Sequence, residues 1–199
     1  MCPAPRHTVD PEEITMPQHT LTGKRVAILA TDGVEQVELV QPRAAVEDAG
    51  AITALLSLKS GDIQAMNHDV EPGDTFTVDQ VVGEASPDDF DALLLPGGTT
   101  NPDKLRQDPA AVGFVKEFVA TGKPIGVICH GPWTLVEADA VRGRTLTAYP
   151  SVRTDIRNAG GTVVDREVVT DNGLVSSRNP DDLPAFCAKI VEEFAEGRH

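Results

Sequence analysis

The sequence predicts an α/β fold with a mostly parallel central sheet covered by helices on both faces. Three observations carry this expectation. Short apolar runs recur at 24–30, 52–58, 91–96 and 124–129. Segments with helical spacing of apolar residues lie between them, at 37–49 and 110–122. Glycines and prolines punctuate the joins. Strands that alternate with helices bury both faces of a parallel sheet, so such strands read as continuous apolar runs.

The elements follow in order. KRVAILA (24–30) is short, apolar and followed by the Gly-containing loop TDG, which marks a buried strand. Val37, Val40, Ala44, Val46 and Ala49 share a helical face; Pro42 is expected in the first turn of that helix, and Gly50 ends it. ITALLSL (52–58) is a second strand. Residues 59–84 are polar with scattered Val and Phe, which suggests short strands or a hairpin. DALLLP (91–96) is a third strand ending in Gly97-Gly98, and AAVGFVKEFVATG (110–122) is an amphipathic helix closed by Gly122. PIGVIC (124–129) is a fourth buried strand that runs straight into HGPWTLVEA. TLTAY, TVVDREVV and GLVSS give further strands around a short helix, and 181–196 is a terminal amphipathic helix. Residues 1–22, with four prolines, read as a mobile arm or interface strap before a single domain over 23–199. No repeat or internal linker is evident.

Composition narrows the function classes. In 199 residues, 17 Lys+Arg face 31 Asp+Glu, a formal net charge of −14. That balance argues against nucleic acid and against anionic membrane surfaces, both of which want a basic face. Aromatic residues make up 4%, too few for base-stacking platforms. No apolar run approaches the roughly 20 residues that cross a bilayer. The first twenty residues lack the apolar core of a secretory signal. Cys2, Cys129 and Cys187 are an odd count at wide spacing, neither a disulfide framework nor a zinc pattern. A reducing cytoplasm is the simplest expectation. No phosphate loop follows the first strand, and no metal or other cofactor is expected.

Parallel sheets place ligand sites beyond the carboxyl ends of their strands. Three strand ends therefore matter together: the loop after 24–30, Gly97-Gly98, and Cys129. A strand passes through Cys129 into a helix with almost no loop, and Gly126 and Gly131 flank it. This is the logic of a nucleophile elbow, in which a sharp turn holds the side chain out. A helix start there should lower the thiol pKa and offer the His130 N–H to a developing oxyanion. The competing reading is a buried structural cysteine. Glu38 reads equally as an exposed helix-start acid or a site acid, and Glu35 as a pocket acid or, more simply, a solvated loop acid. Trp133 and Tyr149, the only Trp and Tyr, are expected to border the pocket or to serve in packing. Arg178 is expected either to bind an anion at the pocket or to pair with nearby acids. His68 and Asp69 read as solvated turn residues, and Cys2 and Cys187 as incidental.

AILATDGVEQVEL, DALLLPGG, NPDKLR, GKPIGVICHGPW, LTAYPS and SSRNPDDL together resemble the signature blocks of the PfpI family, within the class I glutamine amidotransferase-like superfamily. The blocks run in order from Lys24 to about Phe194. The resemblance implies a flavodoxin-like three-layer sandwich and a homodimer or higher homo-oligomer. It implies Cys129 as nucleophile, His130 as the adjacent histidine and Glu38 as the acid that hydrogen-bonds the sulfur. Gly98 and His130 match the backbone oxyanion donors, with Gly97 beside them. Asp103 falls where some members carry a glutamate that reaches the histidine of a neighbouring subunit. If Glu38 lies against Cys129, two anions would repel, so a protonated carboxyl donating to a thiolate is expected, with a raised Glu pKa. Being adjacent, Cys129 and His130 are expected to leave the elbow in different directions, with a carboxylate of a neighbouring chain orienting the imidazole.

The histidine inventory limits the chemistry. After His130 the sequence holds only His199, so the downstream His-x-Glu of glutamine-hydrolysing relatives is missing and ammonia transfer is not expected. Three readings stand. The first is a stress-response enzyme whose thiolate attacks small reactive carbonyls or glycated protein, with intracellular peptide hydrolysis as its alternative. The second is a redox sensor or holdase whose Cys129 oxidises. The third is a family member with an inert pocket.

Overall fold

The computed structural model describes residues 20–199. The expected arm, with Cys2, therefore lies outside the described residues except at its last three positions. Those three correct the domain boundary. Leu21 is fully buried and its N–H bonds the Ala49 carbonyl at 2.7 Å, so the packed chain begins before residue 23. One apolar residue in a polar, proline-rich stretch carries no periodicity, which is why the sequence pattern passed over it.

Arg25–Leu29 is β1; Val34–Glu35 is β2; Gln36–Asp48 is α1; Ile52–Ser57 is β3. Asp62–Asn67 and Glu71–Thr77 form the hairpin β4–β5, and Gln80–Val81 is β6. Ala92–Leu95 is β7, Thr100–Leu105 α2, Pro109–Ala120 α3, Ile125–Ile128 β8 and Pro132–Glu137 α4. Thr145–Leu146 is β9, Arg153–Asn158 α5, Thr162–Val163 β10, Val168–Asp171 β11, Leu174–Ser177 β12 and Leu183–Glu196 α6. The main sheet has seven strands in the order β11-β12-β8-β7-β1-β3-β6, and only the β11–β12 pairing is antiparallel. This is the mixed α/β, flavodoxin-like architecture that the sequence predicts.

The central strands are buried throughout, yet their side chains still alternate. Ala27 and Leu29 of β1, Leu93 and Leu95 of β7, and Ile125 and Val127 of β8 pack with Phe114, Phe118, Leu135 and Ile156 from α3, α4 and α5. Val26, Ile28, Ala92, Leu94 and Ile128 face Leu39 and Val46 of α1 and Phe186, Ile190 and Phe194 of α6. The period of two sends neighbours to opposite layers, and each layer excludes water from one face.

Helix α1 ends in a two-bond cap: Gly50 N–H bonds the Glu47 carbonyl at 2.9 Å and Ala51 N–H the Val46 carbonyl at 3.0 Å. Gly50 has φ +101, a conformation that costs glycine little. Pro42 corrects the sequence reading. It sits inside α1 rather than in the first turn, because the helix begins at Gln36. Its ring is buried beside Ile28, Leu94 and Phe186. There it fills core volume and leaves the Glu38 carbonyl without the usual partner four residues on. Helix α2 is a further addition: six mostly polar residues gave no periodic signal.

Candidate active site

Cys129 follows the last residue of β8 and has φ +62, rare for a non-glycine residue. Strand alternation would send its side chain to the layer of Ile125 and Val127. The left-handed backbone turns it instead into the layer of Ile128, where α1 lies. The strain is held by hydrogen bonds on both sides of the residue. Cys129 N–H donates to the Ser177 carbonyl at 3.1 Å, and its carbonyl accepts Tyr149 N–H at 3.0 Å. The thiol is 6% exposed. A backbone outlier fixed this firmly beside an open cavity is a mark of function.

Helix α1 carries Glu38 to the sulfur. The carboxyl is 1% exposed and accepts Gly97 N–H at 2.8 Å, and its other contact is with the Cys129 thiol. Burial raises the Glu38 pKa to about 8, against the opposing pull of the thiol and the Gly97 N–H. The carboxyl is thus held protonated at neutral pH. The Cys129 thiol is pushed up as well, by burial and then by the Glu38 charge, while the N–H groups of Gly98 and His130 pull it down. This corrects the expectation of a thiol lowered by a helix start. Helix α4 begins three residues later, at Pro132, and the sulfur is desolvated. The pair therefore releases one proton at a time, and a thiolate is favoured only while Glu38 keeps its own.

No side chain would fit at Gly97: a Cβ there would lie 2.7 Å from the Cys129 Cβ and 3.0 Å from the His130 nitrogen. Gly98 has φ +77. The two glycines let the backbone approach the sulfur closely enough for the Gly98 N–H to lower the thiol pKa.

His130 differs from expectation. Its Nδ1 lies 3.1 Å from the Cys129 sulfur, so the two adjacent side chains meet. The positive φ at Cys129 folds them toward one another. Its Nε2 lies 3.0 Å from the Ser151 Oγ, so a hydroxyl of the same chain holds that nitrogen. A hydroxyl both donates and accepts, and so supports either imidazole tautomer. Burial lowers the His130 pKa, which keeps the ring neutral and able to take a proton. Tyr149 stacks on it with centroids 4.4 Å apart.

Cys129 sits in a cavity of about 260 Å³. Glu38, Gly98, His130 and Tyr149 form its inner wall, and Glu35, His68, Asp69 and Pro180 its outer one. Of the outer wall, the sequence offered Glu35 as a pocket acid, but not His68, Asp69 or Pro180. His68 and Asp69 occupy the tip of the β4–β5 hairpin with φ +54 and +64, as a tight hairpin turn requires. Glu35 is 7% exposed rather than solvated, because its carboxylate accepts the N–H groups of His68 and Asp69 at 3.0 and 3.2 Å. That pairing folds the hairpin tip over the site.

Four expected site residues lie elsewhere. Gly97 is behind the inner wall. Trp133 does not line the cavity; it backs His130 at 5.3 Å, and its Nε1–H donates to Asp155 at 2.8 Å. Arg178 also turns away, held by Asp182 at 2.8 and 2.9 Å and by Asp165 at 2.9 Å. Asp103 is exposed on α2, where its carboxylate accepts from Gln107, and it does not meet His130 within this chain. Cys187 is half-buried on α6 with no comparable surroundings. Among the described residues, Glu193, Glu196 and His199 form the only cluster spaced to hold a metal ion, at the opposite end of the sheet from Cys129.

The DJ-1/PfpI family model matches residues 24–193. The chain belongs to the DJ-1/PfpI family. An uncharacterized Staphylococcus epidermidis protein is 44% identical over 174 residues, covering 85% of this chain and 97% of that protein. The Bacillus subtilis protein named "Putative cysteine protease YraA" is 40% identical over 163 residues, covering 82% and 94%. Drosophila melanogaster DJ-1β superposes with a TM-score of 0.77 at 26% identity, over 86% of this chain and 90% of that one. A two-domain Anabaena variabilis protein with DJ-1/ThiJ/PfpI-like and ferritin-like domains superposes with a TM-score of 0.80 at 34% identity. That match covers 85% of this chain and 47% of the Anabaena one. No helix among the described residues is long and apolar enough to cross a membrane.

Proposed function

We propose that this DJ-1/PfpI protein is a cysteine-dependent enzyme acting on small reactive carbonyls, with Cys129 as nucleophile. The observation that carries the reading is a strained thiol at the inner wall of a small cavity, faced by two backbone N–H donors and by a carboxyl that holds a proton. The thiolate adds to the aldehyde carbon of a 2-oxoaldehyde, and the oxyanion so formed takes the Gly98 and His130 N–H groups. Neutral His130 removes the proton on that carbon and Glu38 protonates the neighbouring one. The product is a 2-hydroxyacyl thioester. Water then cleaves it to a 2-hydroxy acid and restores the thiol. One aldehyde and one water give one acid, with no external oxidant.

The name of YraA favours a second reading, peptide hydrolysis by the same nucleophile. The cavity size favours the first. About 260 Å³ suits a three-carbon aldehyde, whereas an extended peptide needs a groove running past Cys129. The deciding experiment is lactate formation from methylglyoxal by the wild type and by Cys129→Ser, in buffer free of amines and thiols. Turnover in the wild type that disappears in the variant is the expected result. A folded wild type that forms no lactate rejects the reading and turns attention to peptide substrates.

A further inference from the structure

The oxyanion donor at Gly98 depends on the orientation of a single peptide, and nothing in a Gly-Gly pair fixes that orientation sterically. A trans peptide points its C=O and N–H in opposite directions. The Gly98 N–H, which lowers the Cys129 pKa, therefore acts on the thiol only while the Gly97 carbonyl points away from it. On that far side lies Asn101, in α2, a fully buried side chain. Its Nδ2 donates to the Gly97 carbonyl at 3.0 Å and to the Pro96 carbonyl at 3.0 Å. Its Oδ1 accepts Thr31 N–H, from the loop after β1, at 2.8 Å. The other donor to the Gly97 carbonyl is the Glu35 N–H at 3.4 Å, a longer and weaker contact.

Two successive peptides share this arrangement. The Pro96–Gly97 peptide gives its carbonyl to Asn101 and its N–H to Glu38. The Gly97–Gly98 peptide gives its carbonyl to Asn101, and its N–H lowers the pKa of the Cys129 thiol. We propose that Asn101 is a positioning residue that latches both peptides and so keeps the oxyanion hole formed. Without its two donors the Gly97–Gly98 peptide is free to rotate. The rotated form removes one oxyanion donor and aims the negative end of the Gly97 carbonyl at the sulfur. Asparagine suits the position because one side chain must both donate twice and accept once, at a site closed to water.

Asn101→Asp tests the latch, because it keeps the side-chain size and the acceptor for Thr31 N–H and replaces the amide donors. Iodoacetamide alkylation of Cys129 is followed against pH, with thermal unfolding as the measure of folding. The alkylation midpoint is expected to rise by about one pH unit, so that thiolate is about tenfold scarcer below it. With methylglyoxal, kcat is expected to fall roughly 10–100-fold, short of the 10²–10³ that outright removal of an oxyanion donor costs, while KM changes little. This kinetic arm rests on the function proposed above; the alkylation arm does not. A wild type without turnover thus rejects that function and leaves the latch to be decided by alkylation alone. A folded variant with the wild-type alkylation profile overturns the latch. If the variant does not fold, the wild type supplies the test by NMR. The Gly98 amide proton must move downfield as Cys129 ionises and remain a single sharp signal. A Gly98 amide blind to that ionisation, or exchanging between two states, overturns the latch equally.

Discussion

Cys129 and Cys187 are two thiols withdrawn from water, and the difference between them shows what sets the proposed nucleophile apart. Burial alone acts on Cys187 and pushes its pKa up to about 11. It sits in the body of α6 on ordinary helical backbone, so it remains a protonated, inert group that helps fill the layer beside α1. Cys129 is more deeply buried and its ionisation is opposed more strongly. It differs in three respects. Its backbone is strained outward, the N–H groups of Gly98 and His130 favour its thiolate, and a carboxyl beside it holds a proton at neutral pH. Desolvation makes a thiolate scarce; fixed donors and a proton-sharing neighbour make the little that forms strongly directed.

The largest expected effect separates the two cysteines directly. Cys129→Ser should abolish methylglyoxal turnover, a loss of roughly a thousandfold or more, and should remove the pH-dependent alkylation signal. Cys187→Ser should leave both within about twofold, because no group near it touches the site. Comparable losses in the two variants would mean that reactivity follows burial rather than the constellation around Cys129.

Glu38→Gln comes next. In the folded chain the carboxyl pKa is raised from about 4.5 to about 8, so the native state holds a proton that the unfolded chain has released. The native state binds more protons across that window, and stability must fall as pH rises through it, by roughly 1 kcal/mol per pH unit. The contribution is fully present below about pH 4.5 and lost above about pH 8. Glutamine does not titrate, so the variant's unfolding temperature should change less between those limits. It should also lower the alkylation midpoint, since the Glu38 charge that pushes the thiol pKa up is then gone. A variant that retains the wild-type slope of stability against pH would sink the protonated-carboxyl account.

The strands and the elbow were legible because each rests on local pattern. Four apolar runs marked the centre of the sheet, and a strand meeting Cys129, His130 and Gly131 without a loop marked the turn. Glu38 and Gly98 became readable through the family resemblance rather than through spacing. What escaped was set by side-chain direction and by long-range pairing. Arg178 and Trp133 are close to the site in sequence blocks, but their polar atoms have better partners in Asp182 and Asp155. The hairpin tip at His68 and Asp69 lies about sixty residues before Cys129 and is drawn over it by one carboxylate, Glu35, whose partners are backbone groups and leave no trace in composition. Asn101 acts on backbone as well. A polar residue in a short polar helix gives no hint that it is fully buried beside the site.

Ser151→Ala is expected to act more gently. It removes the hydroxyl that holds His130 Nε2 but leaves the Tyr149 stack that keeps the ring in place. A fall in kcat of about tenfold or less fits the loss of one orienting hydrogen bond. The pH profile of kcat should shift with it, because the two tautomers of His130 then lose their common partner.

The smallest expected effect belongs to Arg178. An arginine beside a thiol pocket invites the reading that it recruits anionic substrates, and the ratio of alkylation rates for anionic iodoacetate and neutral iodoacetamide measures that recruitment. Here the guanidinium is occupied by Asp182, which is 4% exposed, and by Asp165, which Arg153 also holds. Its charge is neutralised locally, and the outer wall of the cavity presents Glu35 and Asp69 with no lysine or arginine. Arg178→Gln should therefore lower the unfolding temperature, by leaving Asp182 without its partner, while the iodoacetate-to-iodoacetamide ratio stays within about twofold of the wild type. A ratio that dropped on removing Arg178 would show the cavity borrowing positive charge from outside its walls, and would extend the contrast with Cys187 from the donors that touch the sulfur to the field around it.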